Sequence, residues 1–278
     1  MAAITDLSDL INLQTGGGSA ASQAIFFYKV ARIAGAAVPA NIAGRPCTLW
    51  RYDGQPSAGA VPTSVIAPTD ATPGALPFIS PGGLREAFMV QAWATGLVGG
   101  TLILYDRLLQ IGGLSGIVTT PQTVSGSITR NVNGDGNFIM AEIYTAIGST
   151  ARTITATYTD QDGNGGTTTA VAFGGTGFLE ATRAILMPLA SGDTGVRAVG
   201  GVTINGGSTG TAGNFGVVIG KPIAYIGIGA AGAAGWRDYV TGLPGIPAIA
   251  SGSCLSLLWI PTTTTAPEIF GGYNIVEK

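Results

Sequence analysis

Two short loops in this chain carry the oxygen-rich spacing of a calcium site. In Asp160-Gln161-Asp162-Gly163-Asn164-Gly165, the residues Asp160, Asp162 and Asn164 alternate as the first ligands of an EF-hand loop do. Val171, however, stands where a bidentate Glu is required. In Asn131-Val132-Asn133-Gly134-Asp135-Gly136, the residues Asn133 and Asp135 fit the pattern and Glu142 falls at the right distance, with Asn131 in place of the usual first Asp. Both loops join predicted strands rather than helices. Asn, Asp and Gly are also what a tight hairpin turn selects, because they tolerate positive φ. Each loop therefore reads as a turn first and as a weak cation site second. No other cofactor is expected.

Other chemistry is removed mostly by what is missing. The 278 residues include no histidine, which excludes Ser-His-Asp and Cys-His catalysis, HExxH zinc sites and His-based proton transfer near neutral pH. The stretch Gly227-Ile228-Gly229-Ala230-Ala231-Gly232 matches the dinucleotide fingerprint and follows a predicted strand. Pro244 and Pro247 soon interrupt, though, and no acid follows until Glu268 to hold a ribose, so a close-packing Gly/Ala loop is expected. Glycosidases need two carboxylates across a sugar bond. Glu142, Glu180, Asp106 and Asp238 are the candidates, and each sits singly, with Asp106-Arg107 and Arg237-Asp238 reading as locally paired charges. Cys47 and Cys254 are too few and too far apart for a zinc or redox motif, and read as small buried apolar residues. The expectation is a protein that is not an enzyme.

What must position so little chemistry is a chain short of charge. Only 13 basic and 15 acidic residues occur, for a net charge of −2, with mean hydropathy +0.40, whereas a soluble protein is about a quarter charged. A membrane helix needs about 20 apolar residues without helix punctuation. The longest uncharged stretch, Tyr239 to Pro267, is broken by Pro244, Pro247 and Pro261. Disorder is excluded by a 46% hydrophobic content. Burial in an assembly remains, and the kind of charge agrees. Interface cores lose Lys, Glu and Asp but keep Arg, and the only lysines are Lys29, Lys221 and Lys278. A GC-rich genome would also favour Arg, Ala and Gly over Lys. With no cluster of Lys and Arg, direct nucleic-acid contact is not expected.

Along the chain, Ile4, Leu7 and Ile11 lie on one face of a predicted helix from Ile4 to Leu13, before Gly16-Gly17-Gly18-Ser19. An N-terminal arm, residues 1–24, follows from this, docked on a neighbour or folded back on its own domain. Residues 25–99 read as an extended Pro/Gly-rich region, with its long loop from Asp53 to Gly83 and one short helix from Leu84 to Thr95. Beyond Gly99-Gly100 the period becomes that of strands, ten of them between Thr101 and Val276. The predicted fold is mainly β, an antiparallel β-sandwich or jelly roll over residues 100–278. Trp50, Trp93, Trp236 and Trp259 are scattered, each beside apolar residues, and are expected in the core. A sugar-binding module would cluster its aromatics at loop tips.

Four stretches carry a family resemblance. Leu104-Tyr105-Asp106-Arg107-Leu108 with Gly112-Gly113-Leu114-Ser115-Gly116 is one. Ala190-Ser191-Gly192-Asp193-Thr194-Gly195-Val196-Arg197 and Gly235-Trp236-Arg237-Asp238-Tyr239 are the others, together with Thr263-Thr264-Thr265-Ala266-Pro267. They resemble proteins encoded in the structural modules of tailed bacteriophages and prophages, over nearly the whole chain. The resemblance implies a virion protein, made in the host cytoplasm. By architecture alone it is similar to capsid decoration or cement proteins, which implies a homo-oligomer, trimer or dimer, whose partner is the major capsid protein. The arm from Met1 to Ser22 and the loop from Asp53 to Gly83 would lie on that partner. The alternatives are a tail tube, baseplate or fibre subunit, a receptor- or glycan-binding protein, and a cell-wall enzyme that would depend on Glu142 or Glu180.

Overall fold

The computed structural model describes residues 8, 11–12, 22–33, 38–81, 86–241 and 245–278. In chain order its strands are β1 (Ser22–Ile33), β2 (Cys47–Thr48), β3 (Tyr52–Gln55), β4 (Ala87–Gly96), β5 (Gly100–Leu114) and β6 (Gln122–Ser127). They continue with β7 (Phe138–Thr145), β8 (Arg152–Asp160), β9 (Gly165–Thr167), β10 (Val171–Phe173), β11 (Ala184–Met187) and β12 (Val196–Asn205). The last five are β13 (Asn214–Ile228), β14 (Ala234–Asp238), β15 (Ala248–Ile249), β16 (Leu255–Pro261) and β17 (Ile269–Glu277). Sheet I runs β14-β4-β17-β1-β3, with β15 paired to β4. Sheet II runs β11-β7-β13-β5-β16-β2, and sheet III runs β10-β8-β12-β6, with β9 paired to β8.

The two longest strands organise the rest. β5 and β13, 15 residues each, pair at the centre of sheet II. A strand covered on both faces has to be apolar at nearly every position, as Leu102 to Tyr105 and Phe215 to Ile219 are, while the polar residues Asp106, Arg107 and Gln110 in the middle of β5 are buried as well. On one stretch, Leu102, Leu104, Ala224 and Ile226 join Phe27, Ala92, Ala94, Ile269 and Tyr273 of sheet I in a first core. Further along, Leu109, Ile111, Val217 and Ile219 join Ile154, Ala156, Val199 and Val202 of sheet III in a second. The alternate residues Ile103, Tyr105 and Val218 form a smaller cluster with Met140 and Leu258. Because side chains alternate across a strand, that cluster is on the reverse of sheet II. Sheets I and III thus cover one face of sheet II side by side, and the expected antiparallel sandwich is built from three sheets rather than two.

The region before Gly100 differs most from expectation. The helix expected over Leu84 to Thr95 is the strand β4 from Ala87 onward. Ala92, Ala94 and Gly96 point into the first core, and Gln91, Trp93 and Thr95 point out, a period of two. β4 pairs with β14 on one side and β17 on the other, so each backbone group that a helix would have used internally is taken by a neighbour. The strand β1 lies inside sheet I, between β17 and β3, and strands from both sides of Gly99 therefore share one sheet. Of the predicted N-terminal helix, only Ser8, Ile11 and Asn12 are described; they have helical backbone and are exposed. The rest of the helix, and most of the arm, lies outside the described residues.

The long loop also finds its cover within the chain. Leu76 and Phe78 are buried in the first core, and the Leu76 amide donates to Leu255 O at 2.8 Å. Ile66 and Gln110 exchange two backbone bonds of 3.0 and 2.9 Å, and Trp50 Nε1 donates to Ala60 O at 2.9 Å. The described part of the expected Asp53 to Gly83 loop is laid across its own β-core rather than held out for a partner. Its apolar residues explain this: Leu76 and Phe78 gain about 2 kcal/mol each by leaving water.

Candidate functional site

The carboxylates that sequence offered for catalysis are each tied into the fold. Glu142 on β7 and Arg107 on β5 form an ion pair with both side chains 0% exposed. Glu142 also accepts from Thr48 Oγ1 and from the Tyr144 hydroxyl at 3.1 Å. The Arg107 guanidinium donates to Gln110 Oε1 and to the hydroxyls of Tyr105 and Tyr144 at 3.2 and 3.0 Å, and the Trp50 ring covers it at 4.6 Å. Burial works to lower the Arg107 pKa, but the charge and hydrogen bond of Glu142, together with Tyr105 and Tyr144, outweigh it and hold the guanidinium above its ordinary value. Asp106 accepts from Arg130, from Ser253 Oγ and from the Cys254 amide at 2.8 to 3.1 Å. Glu180 pairs with Arg183 at 3.4 Å.

Asp106 and Arg107 are therefore not paired with one another, as their adjacency suggested. Neighbours on a strand point to opposite faces, so each finds its counter-ion on another segment. Arg237 and Asp238 part likewise: Arg237 Nε donates to Tyr225 O at 3.0 Å, and Asp238 accepts from the Val240 amide and the Thr241 hydroxyl at 2.8 and 2.7 Å.

The two calcium-like loops are closed by their own side chains. Asp160 Oδ1 accepts from the amides of Asp162 and Asn164, each at 2.8 Å, in the turn between β8 and β9. In the other loop Asn131 adopts φ 49° and Gly134 φ 81°, Asn133 Nδ2 donates to Asp135 Oδ2 at 2.6 Å, and Lys221 donates to Asp135 O. Glu142 is not brought to Asn133 and Asp135, since it is sealed against Arg107 while Asp135 is exposed. Among the described residues, no group of three or more His, Cys, Asp and Glu gathers to hold a metal. Adding a chelator is expected to leave the melting temperature unchanged in a calorimetric scan; a fall would restore the cation reading.

The feature that sequence reasoning missed is on the outer face of sheet I. Trp50 and Trp259 are in the interior, as expected, at 1% and 0% exposure. Trp93 and Trp236 are not: they are 36% and 66% exposed and stand directly opposite one another on β4 and β14. The register extends that row across the sheet as Trp236, Trp93, Gly272 and Phe26. One neighbouring row is Ala234, Thr95, Phe270 and Tyr28; the other is Asp238, Gln91, Asn274 and Ala24. Phe26 and Phe270 are exposed; Tyr28 lies 6.2 Å from the Phe26 ring and stacks on Phe270 at 6.1 Å. Asn274 Nδ2 donates to Gln91 Oε1 at 3.1 Å.

Gly272 shapes the middle of this row. A Cβ there would sit 2.9 Å from Trp93 Nε1 and 3.1 Å from Cε2. The indole is thus laid down across the glycine instead of standing off the sheet. At the free edge of β14, Trp236 also lines an open cavity of about 620 Å³ with Tyr225, Arg237, Asp238, Tyr239 and Thr241. The strand period of β4, with small residues inside and Gln91, Trp93 and Thr95 outside, was the signal in the sequence for this face.

Among the described residues no helix is long and apolar enough to cross a membrane. No family model and no curated protein matches this chain. Among solved structures, one of the infectious bursal disease virus Gt strain is similar at 9% identity and a TM-score of 0.22, over 96% of this chain and 86% of that one. The VP2 subviral particle of infectious bursal disease virus is similar at 9% identity and a TM-score of 0.19, over 92% of this chain and 80% of that one. Both are structures of viral particles, and superpositions this loose establish neither topology nor role.

Proposed function

We propose that this chain is a non-catalytic structural subunit of a tailed-phage particle, a capsid cement protein that self-associates and bridges major capsid proteins. The observation that carries the reading is how little charge the fold leaves on its surface. Among the described residues, Lys29, Asp106, Arg107, Glu142, Asp160, Arg183 and Glu277 are buried, drawn from a chain with only 13 basic and 15 acidic residues. Meanwhile Ile79, Leu97, Ile117, Val132 and Leu186 are exposed. Aliphatics in place of Lys and Glu are the composition of a surface that other protein covers. Cementing follows from such contacts, since each one across a capsomer boundary must break before the shell opens.

Quantitative mass spectrometry of purified particles is expected to find hundreds of copies of the chain per particle. Particles lacking it are expected to release DNA at a lower temperature. A few to tens of copies would instead assign it to the tail, and absence from the particle would end the structural reading.

A further inference from the structure

We propose that the outer face of sheet I is a binding site for an uncharged glycan, with Trp93, Trp236 and Phe26 as its stacking platform. The reading goes beyond a role in assembly and rests on a different surface. A pyranose ring has an apolar face of C–H groups and a rim of hydroxyls. A site for it needs aromatic faces turned outward and planar amides or hydroxyls beside them. The three rows supply this set: Trp236, Trp93, Phe26 and Phe270 for the faces, and Gln91, Asn274 and Thr95 for the rim.

What these rows lack is equally specific. They contain no Leu, Ile, Val or Met, whose branched or flexible side chains would interrupt a run of flat ring faces and which the chain exposes elsewhere, at Ile79, Leu97 and Val132. Their one charged residue, Asp238, is held by its own turn, so nothing on the face selects an ionic ligand. Gly272 completes the argument. By leaving room for the Trp93 indole to lie across it, it makes a continuous platform from Trp236 to Phe26, three strand spacings or about 14 Å wide. That is room for about three sugar rings end to end. The cavity beside Trp236 extends the platform past the sheet edge with Tyr225, Tyr239 and Thr241, and the cation in its lining, Arg237, donates to Tyr225 O.

The chain reports on this site by its own fluorescence, because two of its four tryptophans are in the site and two are in the core. Neutral hexasaccharides of β-1,4-linked glucose, β-1,4-linked N-acetylglucosamine and α-1,4-linked glucose are titrated into the intact protein. At least one is expected to bind, with a blue shift of the emission. Trp93→Ala and Trp236→Ala are each expected to raise its Kd about tenfold or more at an unchanged melting temperature, and Trp93→Phe to keep most of the affinity.

Absence of binding by all three sugars at millimolar concentration overturns the proposal. So does binding that survives both alanine substitutions. Sedimentation of the protein as an oligomer that the double variant Trp93→Ala/Trp236→Ala converts to monomer would make this face an interface between copies of the chain, and would overturn the proposal while leaving the structural role in place.

Discussion

Glu142→Ala is expected to cost this protein about 3–5 kcal/mol of stability, read as a fall in the urea midpoint. The figure does not measure what the ion pair contributes. It is the cost of leaving the Arg107 guanidinium charged at 0% exposure, with Trp50, Tyr105, Tyr144 and Gln110 around it and no anion. Replacing both partners by apolar residues of similar size, Arg107→Met with Glu142→Leu, is expected to recover most of the loss, because neither charge then has to be stripped of water. A fall of less than about 1 kcal/mol for Glu142→Ala would show that water reaches Arg107. The cluster would then be open enough to reconsider Glu142 as a reacting group.

The second large effect is a loss of stability in alkali. Burial pushes the Cys47 and Cys254 thiols up to about 12 and the Tyr105 hydroxyl to about 12, the last partly relieved by Arg107. Tyr52, Tyr144 and Tyr273 are raised well above their ordinary value, again chiefly by burial. All six are acids kept neutral by the fold. In the unfolded chain they ionise near their ordinary values, 9.0 for Cys and 10.0 for Tyr. Between about pH 9 and 12 the unfolded state therefore holds fewer protons than the native state, and stability falls as pH rises. The slope is at most about 1.4 kcal/mol per pH unit for each such group.

Lys29 opposes this. Burial lowers its pKa to about 8, against a raising effect of Asp53, so from about pH 8 to 10.5 the unfolded chain holds the extra proton and stability rises. Lys221 is lowered too, chiefly by burial, so two amines act against these six buried acids. The urea midpoint is expected to be flat or slightly rising from pH 8 to 9 and to drop steeply by pH 11. An unchanged midpoint between pH 9 and 11 would mean that these hydroxyls and thiols are not sealed.

Where strands obeyed a simple contrast of apolar against polar, they were legible. Arg152 to Thr159 alternates cleanly and is β8 almost to the residue, and Val196 to Ile204 is β12, its buried valines carried through two register shifts. β1 was lost because its contrast is inverted: Gln23 and Lys29 point inward, held by Glu277, Tyr52 and Pro56, while Phe26 faces out. β4 has the spacing of a helix in sequence because its inward residues, Ala92, Ala94 and Gly96, are too small to mark a buried face. The same inversion hid the candidate site. Trp93 and Trp236 have apolar neighbours in sequence, and only their cross-strand pairing, set by partners more than a hundred residues away, turns both to solvent. By contrast, the loops at Asp160 and Asn131 were readable as turns, since turn chemistry is local.

Sheet I has a history written into its order. Its central strand, β17, is made after the other strands of the sheet and takes its place between β4 and β1, strands separated from it by most of the chain. Until the ribosome has delivered residues 269–277, β1 and β4 each wait with an unpaired edge, and Trp93 has no Gly272 to lie across. Such distant pairings close slowly, because the loop entropy must be met before any contact repays it. The aromatic platform is thus complete only once β17 has been made, and a nascent chain stalled before that strand presents two adhesive strand edges in its place.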